Sequence, residues 1–200
     1  MINRYLFYGI AAGFFSALIV IFLSGYFILQ PVINRFSSKL GKSIEENLGK
    51  PSFPLKTSNP TNALADYRWK CKTLDGKEYD VSQLKGKTAF LNFWATWCPP
   101  CVAEMPSLDK LSQKMKNEPV AFLCVSSEDA KTLKDFMEKK KFSLPIYMFD
   151  GELPSVFKTE GIPASFIVSP KGEIVFKHIG SANWNDPSSS EFLKRVIKGN

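Results

Sequence analysis

Trp94-Ala95-Thr96-Trp97-Cys98-Pro99-Pro100-Cys101 decides how this chain is read, because it sets two thiols two residues apart where an apolar run, Ala89 to Trp94, gives way to a helical pattern. A thiol at a helix N-terminus faces unsatisfied backbone N–H groups and the positive end of the dipole. Its thiolate is stabilised, and its pKa falls below the free value of about 8.5. Cys98 is therefore the candidate nucleophile. Cys101 lies one turn further in, within reach of a mixed disulfide formed at Cys98. The spacing predicts an exposed Cys98 at the helix end and a largely buried Cys101. Pro99 and Pro100 suit a first turn, where a missing N–H costs nothing, and there they stiffen the segment between the sulfurs.

A rival use of C-x-x-C is half of a zinc site. The chain holds four cysteines and one histidine, His178, and neither Cys71 nor Cys124 belongs to a second such knuckle. A module carrying copper or zinc between thiols is kept as the binding alternative. A thiol peroxidase is the second enzymatic alternative, although its typical single reactive cysteine at wider spacing contrasts with the second cysteine here. Cys71 and Cys124 read as buried small hydrophobes, and whether they pair is left open by sequence. His178 reads as structural.

Two hundred residues suit one domain of about 140 plus an appendage, and four cysteines are too few for a disulfide scaffold. The net charge of +7 invites a nucleic-acid reading, but the first sixty residues hold six Lys/Arg against two Glu, leaving +3 on the rest. No nucleic-acid motif is present. The run Glu138-Lys139-Lys140-Lys141 ends an amphipathic pattern, where cations complement a helix dipole.

From Tyr5 to Leu29 no charged residue occurs, a stretch of about 25 residues and long enough to cross a bilayer as a helix. Residues 1–30 are thus expected to be an uncleaved transmembrane anchor, since a cleavable signal would be shorter and end in a better site than Ser24-Gly25-Tyr26. In residues 31–62, Phe36, Leu40, Ile44 and Leu48 recur every four positions as the stripe of a short amphipathic stalk, followed by a linker marked by Pro51, Pro54 and Pro60. Flanking charges lean against export: Arg4 precedes the span, whereas Arg35, Lys39 and Lys42 follow it.

Residues 63–200 read as an α/β domain. Tyr67, Trp69 and Cys71 alternate with Arg68, Lys70 and Lys72, and Asp75-Gly76 turns this strand into a second around Tyr79 to Val81, an N-terminal hairpin. The apolar runs Ala89 to Trp94 and Val120 to Val125 suit central strands covered on both faces. Between them a helix is expected with Val102, Met105, Leu108, Leu111 and Met115 as its apolar stripe, kinked at Pro106. Leu133, Phe136 and Met137 mark a further helix. Phe166 to Val168 and Ile174 to Phe176 form a hairpin, and a helix from about Ser189 to Ile197 closes the chain. The order implies a mixed sheet sandwiched by helices.

Leu74-Asp75-Gly76-Lys77, Leu84-Lys85-Gly86-Lys87, the block Leu91 to Cys101, Glu104-Met105-Pro106 and Gly161-Ile162-Pro163-Ala164-Ser165-Phe166 together resemble membrane-anchored thioredoxin-like thiol:disulfide oxidoreductases of the TlpA/ResA type. The resemblance implies a thioredoxin-like fold and a redox-active pair, Cys98 with Cys101, with no other cofactor and no metal. It implies that Glu104 tunes the cysteines and relays protons, and that Ile162-Pro163 is a cis peptide on a loop opposite them. Trp97, Pro99, Pro100, Ile162 and Pro163 would then meet substrate. It further implies a domain on the periplasmic or extracytoplasmic side of the cell membrane. Protein thiols and disulfides, such as those of apocytochrome c, would be its substrates, and a membrane protein its electron donor.

Overall fold

The computed structural model describes residues 29–31 and 63–199. The expected anchor and stalk lie almost wholly outside the described residues, among which no helix is long and apolar enough to cross a membrane.

Strands β1 (Lys70–Thr73) and β2 (Glu78–Asp80) form the expected antiparallel hairpin, with Cys71 opposite Tyr79. After a 3-10 turn at Val81–Leu84 comes β3 (Thr88–Phe93), buried along all six residues. Helix α1 (Pro99–Lys114) carries the chain to β4 (Val120–Ser126), which pairs parallel to β3. Helix α2 (Ala130–Lys140) leads to β5 (Ile146–Met148), parallel to β4 and antiparallel to β1. Strands β6 (Ala164–Val168) and β7 (Ile174–Ile179) form the second hairpin, and α3 (Pro187–Ile197) closes the domain. The sheet order is β2-β1-β5-β4-β3-β6-β7.

Strand β5 is an addition to the sequence reading. Three residues are too few to show a period of two, and the strand is defined by its partners on either side. Along β3 that period divides the core. Ala89, Leu91 and Phe93 face a cluster with Trp69, Val81, Leu84 and Phe157, whereas Phe90 and Trp94 face one containing Met105, Leu108, Leu133, Leu193 and Val196. Helices α1, α2 and α3 thus bury residues in the same cluster. The sandwich of helices expected from sequence is realised as one α-helical layer, and residues of the 3-10 turns Val81–Leu84 and Ser155–Phe157, with Trp69 and Cys71 of the N-terminal strand region, cover the other face.

The stripe of α1 also differs from expectation. Its buried residues are Cys101, Glu104, Met105, Leu108 and Leu111, while Val102 is only partly buried. Steps of three and four from Cys101 reach Glu104, Leu108 and Leu111, so helical geometry carries a carboxylate into the core. The helix is continuous through Pro106, whose side is exposed.

Candidate active site

Cys98 is the N-cap of α1, with extended backbone and Pro99 and Pro100 at the first helical positions. The cap fixes the chemistry: the Cys98 sulfur accepts the Cys101 N–H at 3.3 Å, one of the backbone donors that a helix start leaves without an intrahelical partner. No acidic residue occupies the first turn to offset the positive end of the dipole. Cys98 and Cys101 are joined by a disulfide, their Cα atoms 5.3 Å apart.

The expected exposure of Cys98 is corrected. Cys98 is 3 % exposed and Cys101 fully buried, because the bridge draws the Cys98 side chain inward and its sulfur lies 3.7 Å from the Ile162 carbonyl oxygen. Ile162-Pro163 is a cis peptide, as the resemblance implied, and it stands beside the sulfurs. Gly180 N–H donates to the Pro163 carbonyl at 2.8 Å, tying this loop to the end of β7. Trp97 is 71 % exposed immediately before the cysteine, whereas Trp94 is buried against Phe136, ring centroids 5.4 Å apart.

Glu104 is buried at 2 % exposure, and its carboxylate collects three N–H donors. Asn92 Nδ2 donates to Oε1 at 2.8 Å, while Ala182 N and Trp184 Nε1 donate to Oε2 at 3.0 Å each. Burial pushes the carboxyl from 4.5 up to about 7, and the Trp184, Asn92 and Ala182 donors pull against that rise without cancelling it. A carboxyl poised near neutrality three residues from a cysteine can take or give a proton at working pH.

A second carboxylate braces the approach to Cys98. Glu128 accepts from Thr96 N at 2.7 Å, Thr96 Oγ1 at 2.5 Å and Ser126 Oγ at 3.1 Å. Neither Glu128 nor the Glu104 donors Asn92, Ala182 and Trp184 stood out in the sequence reading. Asn92 carried a usable signal, a carboxamide inside a six-residue run otherwise suited to a buried strand. Cys71 and Cys124 are both buried and unbridged. His178 sits on β7 opposite Ser165, half-buried, its pKa lowered by burial. Among the described residues, no group of three or more His, Cys, Asp or Glu side chains is arranged to hold a metal.

A mixed sheet with a disulfide-forming cysteine pair capping the helix after its central strand, faced by a cis-proline loop, defines a thioredoxin-like domain. The chain belongs to the Redoxin family, which it matches over residues 57–193. It is 33 % identical over 109 residues to a thiol-disulfide oxidoreductase ResA of Bacillus cereus, covering 54 % of this chain and 63 % of that protein, under two thirds of its length. To ResA of Halalkalibacterium halodurans it is 33 % identical over 125 residues, 62 % of this chain and 70 % of that protein. A thiol:disulfide interchange protein of the thioredoxin family from Chlorobium tepidum TLS superposes with a TM-score of 0.57 at 28 % identity, covering 69 % of this chain and 97 % of the other.

Proposed function

We propose that this chain is a membrane-anchored reductant of protein disulfides outside the cytoplasm, keeping cysteine pairs such as those of apocytochrome c reduced. The observation that carries the reading is the Cys98–Cys101 disulfide at the start of α1 with the buried Glu104 one turn behind it. In the reducing direction, the Cys98 thiolate attacks a substrate disulfide, forming a mixed disulfide and releasing one substrate thiolate. Cys101 gives its proton to Glu104, and its thiolate attacks the Cys98 sulfur. The second substrate sulfur leaves with the bonding electron pair, and the bridge seen in the structure closes.

Trp97, Pro99 and Pro100, all exposed, and the partly buried Ile162 provide the contact surface around the sulfurs, whereas Pro163, expected to meet substrate, is buried; the exposed Trp97 indole is the largest apolar element of that surface. Closure of the bridge leaves the protein oxidised, so each turnover needs a dithiol donor. A membrane protein serves that role, and the uncharged stretch from Tyr5 to Leu29 supports an anchor that keeps the domain near it at high effective concentration. The ResA relatives support the same chemistry.

The test is capture with Cys101→Ser in the full-length chain, expressed in its native membrane. The expected catch is proteins with paired cysteines, apocytochrome c among them, released by reductant and absent with Cys98→Ser. A Cys101→Ser chain that holds no protein by a reducible bond would refute the reading.

A further inference from the structure

The surroundings of the Glu104 carboxyl differ between its two oxygens. Oε2 meets the Ala182 N–H and the Trp184 indole N–H, two groups that donate and cannot accept. Oε1 meets Asn92 Nδ2, part of a carboxamide that presents an acceptor when turned by half a rotation. Asn92 Oδ1 is buried without a hydrogen-bond partner, while Nδ2 also reaches Ser165 Oγ at 3.0 Å, a hydroxyl able to donate or accept. A proton on Oε2 would confront two donors. A proton on Oε1 would confront a side chain that can turn to accept it, with Ser165 following.

The indole is not free to swing aside. Trp184 is fully buried, edge-on to Phe90 at 4.9 Å and to Phe176 at 6.0 Å between ring centroids. Its backbone N–H donates to Ser107 Oγ at 3.1 Å, which fastens the loop after β7 to α1 one turn beyond Glu104.

We propose that Trp184 is a positioning residue of the redox site: its indole N–H reserves Oε2 of Glu104 for donors, so that the carboxyl takes its proton on Oε1, toward Asn92. This rests on the reading of Glu104 as the acceptor of the Cys101 proton. When the Cys101 S–H bond breaks, the electron pair stays on sulfur and the proton ends on Oε1. Asn92 then turns its Oδ1 to the new O–H, while Trp184 and Ala182 keep their bonds to Oε2. Trp184 acts on the sulfur chemistry through Glu104.

The experiment is an NMR pH titration of the oxidised, 13C,15N-labelled full-length chain in mild detergent, read at the Glu104 carboxyl, the Asn92 carboxamide and the Trp184 indole. The expected result is that the Asn92 resonances move with the Glu104 midpoint while the Trp184 indole keeps its hydrogen-bonded shift on both sides of it. In Trp184→Phe, which keeps an aromatic ring but loses the N–H, the midpoint rises by about one pH unit. The pH profile of disulfide exchange moves with it. An indole resonance that is released on protonation while Asn92 stays fixed overturns the proposal, as does an unmoved midpoint in a folded Trp184→Phe. A wild-type chain that exchanges no disulfides would instead overturn the functional reading, and the titration still decides the proton's place.

Discussion

Thr96 and Glu128 are clamped together by two hydrogen bonds, the Thr96 backbone N–H at 2.7 Å and its hydroxyl at 2.5 Å, both donated to one carboxylate. Glu128 follows β4 and Thr96 lies two residues before Cys98, so the clamp ties the active-site segment to the end of a neighbouring strand. Glu128→Ala leaves the Thr96 N–H without this acceptor. Unfolding free energy is expected to fall by about 2 kcal/mol in urea titrations, with exchange slowed by about tenfold or more as Cys98 loses its seat. Unchanged exchange kinetics in the folded variant would show that the clamp positions nothing.

The Glu104 carboxyl also makes stability depend on pH. Its pKa is raised by burial to about 7 from 4.5, so the native state favours the protonated form. That contribution is fully present below 4.5 and is lost as pH rises through about 7, amounting to about 3 kcal/mol. Glu104→Gln resembles the protonated form, so in the oxidised variant this decline should vanish. The difference between the two curves isolates Glu104 from His178, whose lowered pKa gives a slope of opposite sign. Parallel curves for wild type and variant between about pH 4.5 and 7.5 would contradict the assignment.

Trp97 is 71 % exposed and stands outside the core, and the role proposed for it is contact with substrate. Trp97→Ala should leave stability within about 0.5 kcal/mol. Exchange with protein disulfides should slow, while exchange with a small disulfide stays near wild type. Equal slowing of both would place Trp97 in the sulfur chemistry instead. Trp97 fluorescence in the wild type is expected to change on reduction of the bridge.

Burial pushes the Cys71 thiol up to about 12 and raises that of Cys124 further. Neither should react with iodoacetamide at about pH 8 in the native oxidised protein, and both should react after unfolding, as counted by mass spectrometry. Rapid native labelling of either thiol would mean that the sheet opens around it.

Much of this was legible in the residues. The alternation of Trp69 and Cys71 with charged neighbours, the two apolar runs and the cysteines at a helix start gave β1, β3, β4 and the redox pair directly. Trp184 and Glu128 were not legible, because each acts on a residue that is distant in sequence and met only after folding: 80 positions separate Trp184 from Glu104, and 32 separate Glu128 from Thr96. The burial of Cys98 departs from the sequence expectation for a related reason. A helix terminus is ordinarily open to water, but here the bridge turns the sulfur inward and the cis-proline loop stands beside it.

The division of labour between the two sulfurs is tested most directly by reacting the reduced full-length chain with a disulfide-bonded protein, quenching with acid and mapping the adduct by mass spectrometry. In Cys101→Ser the expected result is a single mixed disulfide at Cys98, and in Cys98→Ser no adduct. An adduct forming on Cys101 as fast as on Cys98 would contradict the assignment of Cys98 as the attacking thiolate.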